Sequence, residues 1–333
     1  MKNTQRSLPT ERIDALLTQS GWEIKSKRTH PGLEGKAIAL RNIASTVEQQ
    51  HPYLLAINEE AVGLIHITPA PESPKGDELD NMRLPAGLQK VSAVLPYRYY
   101  SDGTTITFIN LLEGSRAQMR RVGGIHQPRT LARWLTQANT HSGKSPFGSA
   151  QGASLSCIRT HPIPQASPHI VAVLEKLNYA PANWSRTLFL FEPGIDRLSA
   201  AYATAERLVQ FGGTRRLLFL VHIRSEQDNS CARELRKRLT SASTYKLGEA
   251  FVFVCDLGYM RTRLSTSPPL PIESFDTVIL YDYPTDGKHF ADYQQVLSHF
   301  DAVVIGFTSG NPQEELLALF DGNAFSISSP NKT

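Results

Sequence analysis

The most suggestive acid in the sequence is Asp282, which follows the apolar run Val278–Tyr281 in the segment "SFDTVILYD". This order is typical of a buried parallel strand with an acid at its carboxyl end. In nucleic-acid motors such an acid orients magnesium, and a glutamate directly after it positions the attacking water. Here Tyr283 and Pro284 follow instead. Taken alone, Asp282 is predicted to be a strand-end acid that caps the next turn.

Arginines form the second group of residues that could have a functional role, because clustered cations bind phosphate backbones. The segment from Ser115 to Lys144 contains six Lys or Arg residues and no Asp or Glu. The segment from Arg207 to Lys246 contains nine basic and three acidic residues. A solvated face that also serves subunit docking is an equally good interpretation. The candidate nucleic-acid-binding residues are Arg116, Arg120, Arg121, Arg215 and Arg216.

The composition is that of an ordinary soluble globular protein. The chain has 333 residues, 41% hydrophobic and 20% charged, with a formal net charge of +4. No apolar run approaches the roughly 18 residues that span a bilayer, and the polar start "MKNTQRSLPTER" lacks the apolar core of a signal peptide. The three cysteines are far apart and indicate neither a disulfide framework nor a zinc site. The expected location is the cytoplasm, without a membrane partner.

Two domains are predicted from the change in pattern along the chain. Residues 1–138 contain short strand-like runs beside helical segments, which indicates a small mixed sheet with helices. Residues 139–168 are rich in Ser, Gly and Pro and are predicted to be a linker. Residues 169–333 alternate buried apolar runs with helices, which is typical of a doubly wound, largely parallel sheet. The predicted fold class is therefore α/β.

The succession of local patterns resembles the motor subunit, or R subunit, of type I restriction enzymes. The resemblance extends from about Glu11 to Gly322 and rests on the order and spacing of segments such as "IDALLTQSGW", "YLLAINEEAVGLI", "LVQFGGTRRLLFLV", "SFDTVILYD" and "QQVLSHFDAVVIGFT". It implies a restriction-nuclease-like domain followed by the first RecA-like lobe of a helicase. The family activity is ATP-dependent DNA cleavage, with ATP and magnesium as cofactors.

The resemblance also implies a nuclease site, at which this sequence departs from the family pattern. The family carries an Asp at the first strand and a Glu-x-Lys at the second, and the carboxylates hold magnesium. The matching residues here are Pro52, His66 and Thr68. No carboxylate remains at either metal position, and a lone His on a strand is more often a core residue than a metal ligand. We expect no bound metal and no cleavage.

The implied phosphate loop is altered in the same way. The family's Gly-x-Gly-Lys-Thr cradles phosphates with its amides, while the Lys contacts the terminal phosphates and the Thr binds magnesium. In the segment "EPGIDRLSAA", Gly194 remains but Asp196, Arg197 and Leu198 replace the second Gly, the Lys and the Thr. Arg197 keeps a positive charge, so weak anion binding stays open. The chain also ends soon after its first lobe, whereas such motors bind ATP between two lobes.

These observations favour a catalytically inactive relative of the restriction motor subunit that needs no cofactor. It would act as a binding or regulatory module for DNA or for a restriction–modification or phage-defence complex. The alternative is an ATP-binding fragment that completes its site with another chain, and a gene product without a selected role is a third hypothesis.

Overall fold

The computed structural model of the chain divides into two compact units, Met1–Pro146 and Phe147–Thr333, and the division falls inside the segment predicted as a linker. The residues that the structure describes are 9–26, 37–41, 53–67, 90–91, 95–117, 119–140, 166–179, 185–221, 250–283, 289–310 and 312–328.

The first unit is built on a mixed sheet. Its strands run in the order β1-β2-β3-β4-β6-β7-β8, with β5 also pairing with β4. The pairs β1–β2, β4–β5 and β4–β6 are parallel and the remaining pairs are antiparallel. The strands are β1 (Glu23–Ser26), β2 (Ala37–Arg41), β3 (Tyr53–Ile57), β4 (Glu60–Ile67), β5 (Lys90–Val91), β6 (Tyr97–Ser101), β7 (Ile106–Asn110) and β8 (Arg120–Val122).

The hairpin between β3 and β4 shows how the local sequence sets this sheet. Asn58 and Glu59 both have positive φ values, 49° and 67°, which is the backbone of a two-residue turn that matches strand twist. The turn fixes the register of Ile57 opposite Glu60. Two apolar runs separated by the polar pair Asn58-Glu59 therefore form a hairpin.

Two α-helices pack on the mixed sheet, α1 (Pro9–Gln19) and α2 (Pro128–Thr140), and a 3-10 helix spans Leu111–Arg116. The hydroxyl of Tyr53 donates to the Asp14 carboxylate of α1 at 2.9 Å. The hydroxyl of Tyr97 donates to the carbonyl of Leu131 in α2, also at 2.9 Å. These tyrosines thus connect both helices to the strands, and their hydroxyl groups are hydrogen-bonded.

The second unit contains a wholly parallel sheet in the order β11-β10-β12-β13-β9-β14. Nearly every residue of β10, β12 and β13 is buried because helices cover both faces. The strands are β9 (Arg186–Phe191), β10 (Arg216–Val221), β11 (Phe251–Asp256), β12 (Thr277–Tyr281), β13 (Val303–Ser309) and β14 (Ala324–Ile327).

Helices α3 (Pro168–Tyr179) and α4 (Arg197–Gln210) contribute to the core on one face of this sheet. Helices α5 (Leu257–Ser265), α6 (Phe290–His299) and α7 (Glu314–Leu319) contribute to the core on the other face. A side chain at Gly306 would collide with the Phe320 ring at 2.6 Å, so glycine lets this ring lie directly on β13. The predicted α/β class, with a mixed sheet and a separate parallel sheet, is confirmed.

Residues 229–239, whose sequence "NSCARELRKRL" predicts a helix, lie outside the described residues. Among the helices that are described, none combines the length and the apolar character needed to cross a membrane.

Candidate functional site

The carboxyl ends of the parallel strands form the edge at which α/β sheets usually bind ligands. At this edge β13 lies between β9 and β12. The connection from β9 to α4 supplies Gly194 and Asp196, and the first turn of α4 supplies Arg197 and Leu198. Asp282 and Tyr283 follow the end of β12. The structure therefore brings the two altered motifs of the second unit together, on either side of one strand.

Arg197 bridges the two motifs. Its Nη1 donates to Oδ1 of Asp282 at 2.7 Å and to Oγ of Ser309, the last residue of β13, at 3.0 Å. The Arg197 and Asp282 side chains are 21% and 22% exposed, so this ion pair is mostly withdrawn from water. The guanidinium also lies 5.8 Å from the centre of the Tyr281 ring. The cation and the acid to which the resemblance assigns a phosphate and a magnesium ion are therefore bound to each other.

Asp196 is the N-cap of α4. Its carboxylate accepts a hydrogen bond from the backbone N–H of Ser199 at 3.0 Å and another from the Ser199 hydroxyl. A free helix N-terminus attracts anions through its unpaired N–H groups and its dipole. Here a carboxylate of the chain itself already occupies that position, which makes a second anion less favourable.

Gly194 and Leu198 complete this connection. Gly194 has φ +89°, a left-handed conformation that glycine adopts without strain, and a Cβ there would meet open space. Glycine is therefore favoured at this position by the backbone conformation and not by a lack of space. Leu198 is half-buried and packs against the core on the α3–α4 face of the sheet, so it has an apolar structural role where a hydroxyl would be needed for magnesium.

Tyr283 points into the core and not toward the edge. It is 3% exposed, and its ring lies 4.9 Å from that of Tyr293 in α6. Its carbonyl accepts a hydrogen bond from the Thr308 hydroxyl at 3.1 Å. Asp282 has φ 60°. Residues 284–288, which would contain the turn that Asp282 was predicted to cap, lie outside the described residues. The described side-chain hydrogen bond of Asp282 goes to Arg197.

The nuclease-like positions are only partly described, since Pro52 and Thr68 lie outside the described residues. His66 is buried at 3% exposure on β4, and its ring stacks on Tyr100 of β6 with 5.1 Å between centroids and 11° between planes. Burial, with a smaller contribution from the Arg98 charge, lowers the pKa of His66 to about 4. The imidazole is therefore neutral at physiological pH. Within the described ranges no group of three or more His, Cys, Asp or Glu side chains could hold a metal ion.

The predicted nucleic-acid-binding arginines differ in their surroundings. Arg120 is 11% exposed, lies 3.3 Å from the Glu113 carboxylate and covers the Phe108 ring at 5.0 Å. Arg216 donates to the buried Asp276 at 2.6 Å. Arg121 and Arg215 are exposed. The side chain of the fifth, Arg116, lies outside the described part of the chain.

Two further exposed arginines were missed, Arg129 and Arg133, which stand one turn apart on α2. Residues four apart share one helix face, so the helical pattern "QPRTLARWL" contained the signal. The contact of Ser309 with Arg197 was not predicted either, because it depends on which strands are neighbours in the sheet.

Comparison of the sequence with protein-family models gives no match, and no curated protein is similar to it in sequence. What can be said about function therefore depends on the residues themselves and on how the structure arranges them.

Proposed function

We propose that this chain is a catalytically inactive relative of the type I restriction motor subunit and acts as a binding module. Its partners would be DNA or the subunits of a restriction–modification or phage-defence complex in the cytoplasm. The proposal is supported by the succession of a mixed-sheet unit and a parallel-sheet unit. This order is compatible with a restriction-nuclease-like domain followed by a RecA-like lobe.

The observation that carries the proposal is the ion pair between Arg197 and Asp282. A nucleotide phosphate would need the guanidinium, and magnesium would need the carboxylate. Binding both would require breaking a mostly buried, charge-assisted hydrogen bond of 2.7 Å, and the Asp196 carboxylate at the helix N-terminus would still repel the phosphates. In the ion pair, each side chain thus binds the other in place of a phosphate or a magnesium ion.

The side chains at the implied nuclease site support the same conclusion. A magnesium ion prefers carboxylate oxygens, and the described residue at the second metal position is the buried His66. Its ring packs against Tyr100 as a core residue would. These side chains support the proposal of a chain that resembles a nuclease and motor but does not carry the groups that perform their reactions.

The proposed function is binding, and exposed arginines in each unit are candidates for phosphate contacts. Arg120 and Arg216 each hold a carboxylate of the protein itself, so they are poor candidates for phosphate contacts. Arg121, Arg129 and Arg133 of the first unit and Arg215 of the second are exposed. Contacts made by such residues to phosphates are independent of base sequence and weaken as salt rises.

The test measures nucleotide and DNA binding by the same purified chain. We expect no ATP turnover, ATP binding no better than weak, and salt-dependent binding of a labelled duplex. Arg121→Ala should weaken binding to all duplex sequences alike and reduce the salt slope by about 1. Arg12→Ala is the matched control, because Arg12 is an exposed arginine on α1 outside the basic segment.

Two results would count against the proposal. ATP turnover that disappears in both Arg197→Met and Asp282→Asn would show a working site and favour the ATP-binding fragment. Absence of duplex binding at low salt would exclude DNA as the partner and leave subunit contact as the role of these arginines.

A further inference from the structure

The outermost strand of the parallel sheet exposes aromatic rings. Phe251 in β11 is 58% exposed and Tyr259 in α5 is 47% exposed, and these are the exposed large hydrophobic side chains among the described residues. Between them lies Phe253, whose ring centre is 6.2 Å from that of Phe251 and 5.6 Å from that of Tyr259. We refer to Phe251, Phe253 and Tyr259 as the aromatic edge.

The aromatic edge is continuous with the hydrophobic core. Phe253 contacts Phe275, which is 5% exposed and belongs to the core on the α5–α7 face. Phe251 and Phe253 are two apart on β11 and therefore point to the same side of the sheet, and their ring planes differ by only 15°. Two nearly parallel rings thus continue from the core outward to solvent. Single exposed apolar residues are common, but a connected row of rings indicates a binding surface.

Two exposed arginines lie beside the aromatic edge. The exposed Arg215 accepts a hydrogen bond at its carbonyl from the N–H of Phe251 at 2.7 Å, so the two residues are direct neighbours. Arg263 is exposed one helical turn beyond Tyr259, on the same side of α5. The nearby acid Asp256 caps α5 by accepting from the N–H of Tyr259 at 2.8 Å. The positive charge and the exposed rings therefore occur together.

We propose that the aromatic edge is a stacking platform for unpaired bases of single-stranded nucleic acid, with Arg215 and Arg263 contacting its phosphates. Every base has a flat face that stacks on aromatic side chains, and surfaces for single strands combine such rings with cations. A duplex hides its base faces inside the helix, so it gains nothing from the rings. This inference rests on the proposed binding function and assigns single-stranded nucleic acid as the ligand of the aromatic edge.

The test compares two labelled ligands on the full chain by fluorescence anisotropy. They are an oligothymidylate of about 20 nucleotides, longer than a single site of this kind, and a duplex of the same length. The loss of one stacked base corresponds to about a tenfold loss of affinity. We expect Phe251→Ala and Tyr259→Ala each to weaken oligothymidylate binding by about that factor and to leave duplex binding unchanged. Ser265→Ala, an exposed change on α5, is the control.

Two conservative variants separate stacking from general apolar contact. Phe251→Tyr keeps the ring and should retain affinity for the single strand, whereas Phe251→Leu keeps the apolar side chain and should lose it as the Ala variant does. Full affinity in Phe251→Leu, or equal losses on duplex and single strand, would overturn the platform and indicate a protein-binding surface. Unchanged single-strand affinity in both Ala variants would also overturn it. The duplex titration with Arg121→Ala tests the proposed function separately, because it does not involve the aromatic edge.

Discussion

Replacing Asp282 by Asn tests whether the ion pair with Arg197 stabilises the second unit. Asn is the informative substitution because residue 282 has φ 60°, and Asn tolerates this left-handed conformation while Ala would add strain. The change removes the negative charge and keeps the size of the side chain. Its effect on the free energy of unfolding therefore reports on the charge.

The magnitude follows from the geometry. Two unit charges about 4 Å apart attract by about 4 kcal/mol at an effective dielectric constant of about 20, and loss of solvation offsets part of this. Charge-assisted hydrogen bonds contribute about 1.5–3 kcal/mol net. Since both side chains are about one-fifth exposed, we expect Asp282→Asn to lower the free energy of unfolding by about 2 kcal/mol. For a unit of this size, that corresponds to a fall in Tm of about 4–8 °C.

A double-mutant cycle assigns this loss to the pair. Urea unfolding is followed by circular dichroism for the parent chain, Asp282→Asn, Arg197→Met and the double variant. We expect a coupling energy of about 1–2 kcal/mol that decreases in high salt. Ser309→Ala serves as a control, because it removes only the neutral hydrogen bond to Arg197. A coupling energy near zero would refute the reasoning, since Arg197 would then be open to a phosphate.

Three other predictions test separate parts of the structure. Asp196→Ala removes the N-cap of α4 and should lower the free energy of unfolding by about 1 kcal/mol in urea titrations, while Asp196→Asn should retain most of it. The pKa of His66 falls from 6.5 unfolded to about 4 folded, so its contribution to stability is present above pH 6.5 and is lost as pH falls toward 4. Between pH 7 and 5 the parent chain should therefore lose about 2 kcal/mol more than His66→Phe, and equal losses would contradict the burial argument. Incubation of plasmid DNA with the chain and magnesium or manganese should yield no cleavage products on a gel, and cleavage by the unmodified chain would contradict the nuclease argument.

The secondary structure was largely readable from local sequence. The run "RLLFLV" predicted the strand Arg216–Val221, and "DTVILYD" contained the strand Thr277–Tyr281, because strands buried on both faces need continuous apolar residues. The turn at Asn58 and Glu59 was also local. Alternating strands and helices then indicated a parallel sheet, since parallel neighbours need crossover helices.

The candidate site was predictable only as separate pieces. The residues at 194–198 and 282–283 are known from the sequence, and their departure from the family pattern was enough to predict that ATP is not hydrolysed. The chain alone could not show that Asp196 is used as a helix cap, since a free acid and a capping acid look the same until the helix begins. Likewise, Arg120 was predicted to contact DNA, but in the folded unit its guanidinium pairs with the Glu113 carboxylate.

The pairing of Arg197 with Asp282 was decided only by the tertiary structure. These residues are 85 positions apart in the chain, and they meet because β13 brings the ends of β9 and β12 to one edge of the sheet. Apolar periodicity determines which residues are buried, and it is a short-range property of the chain. Which strands become neighbours depends on how the whole unit packs, and the distance between two charges depends on that arrangement.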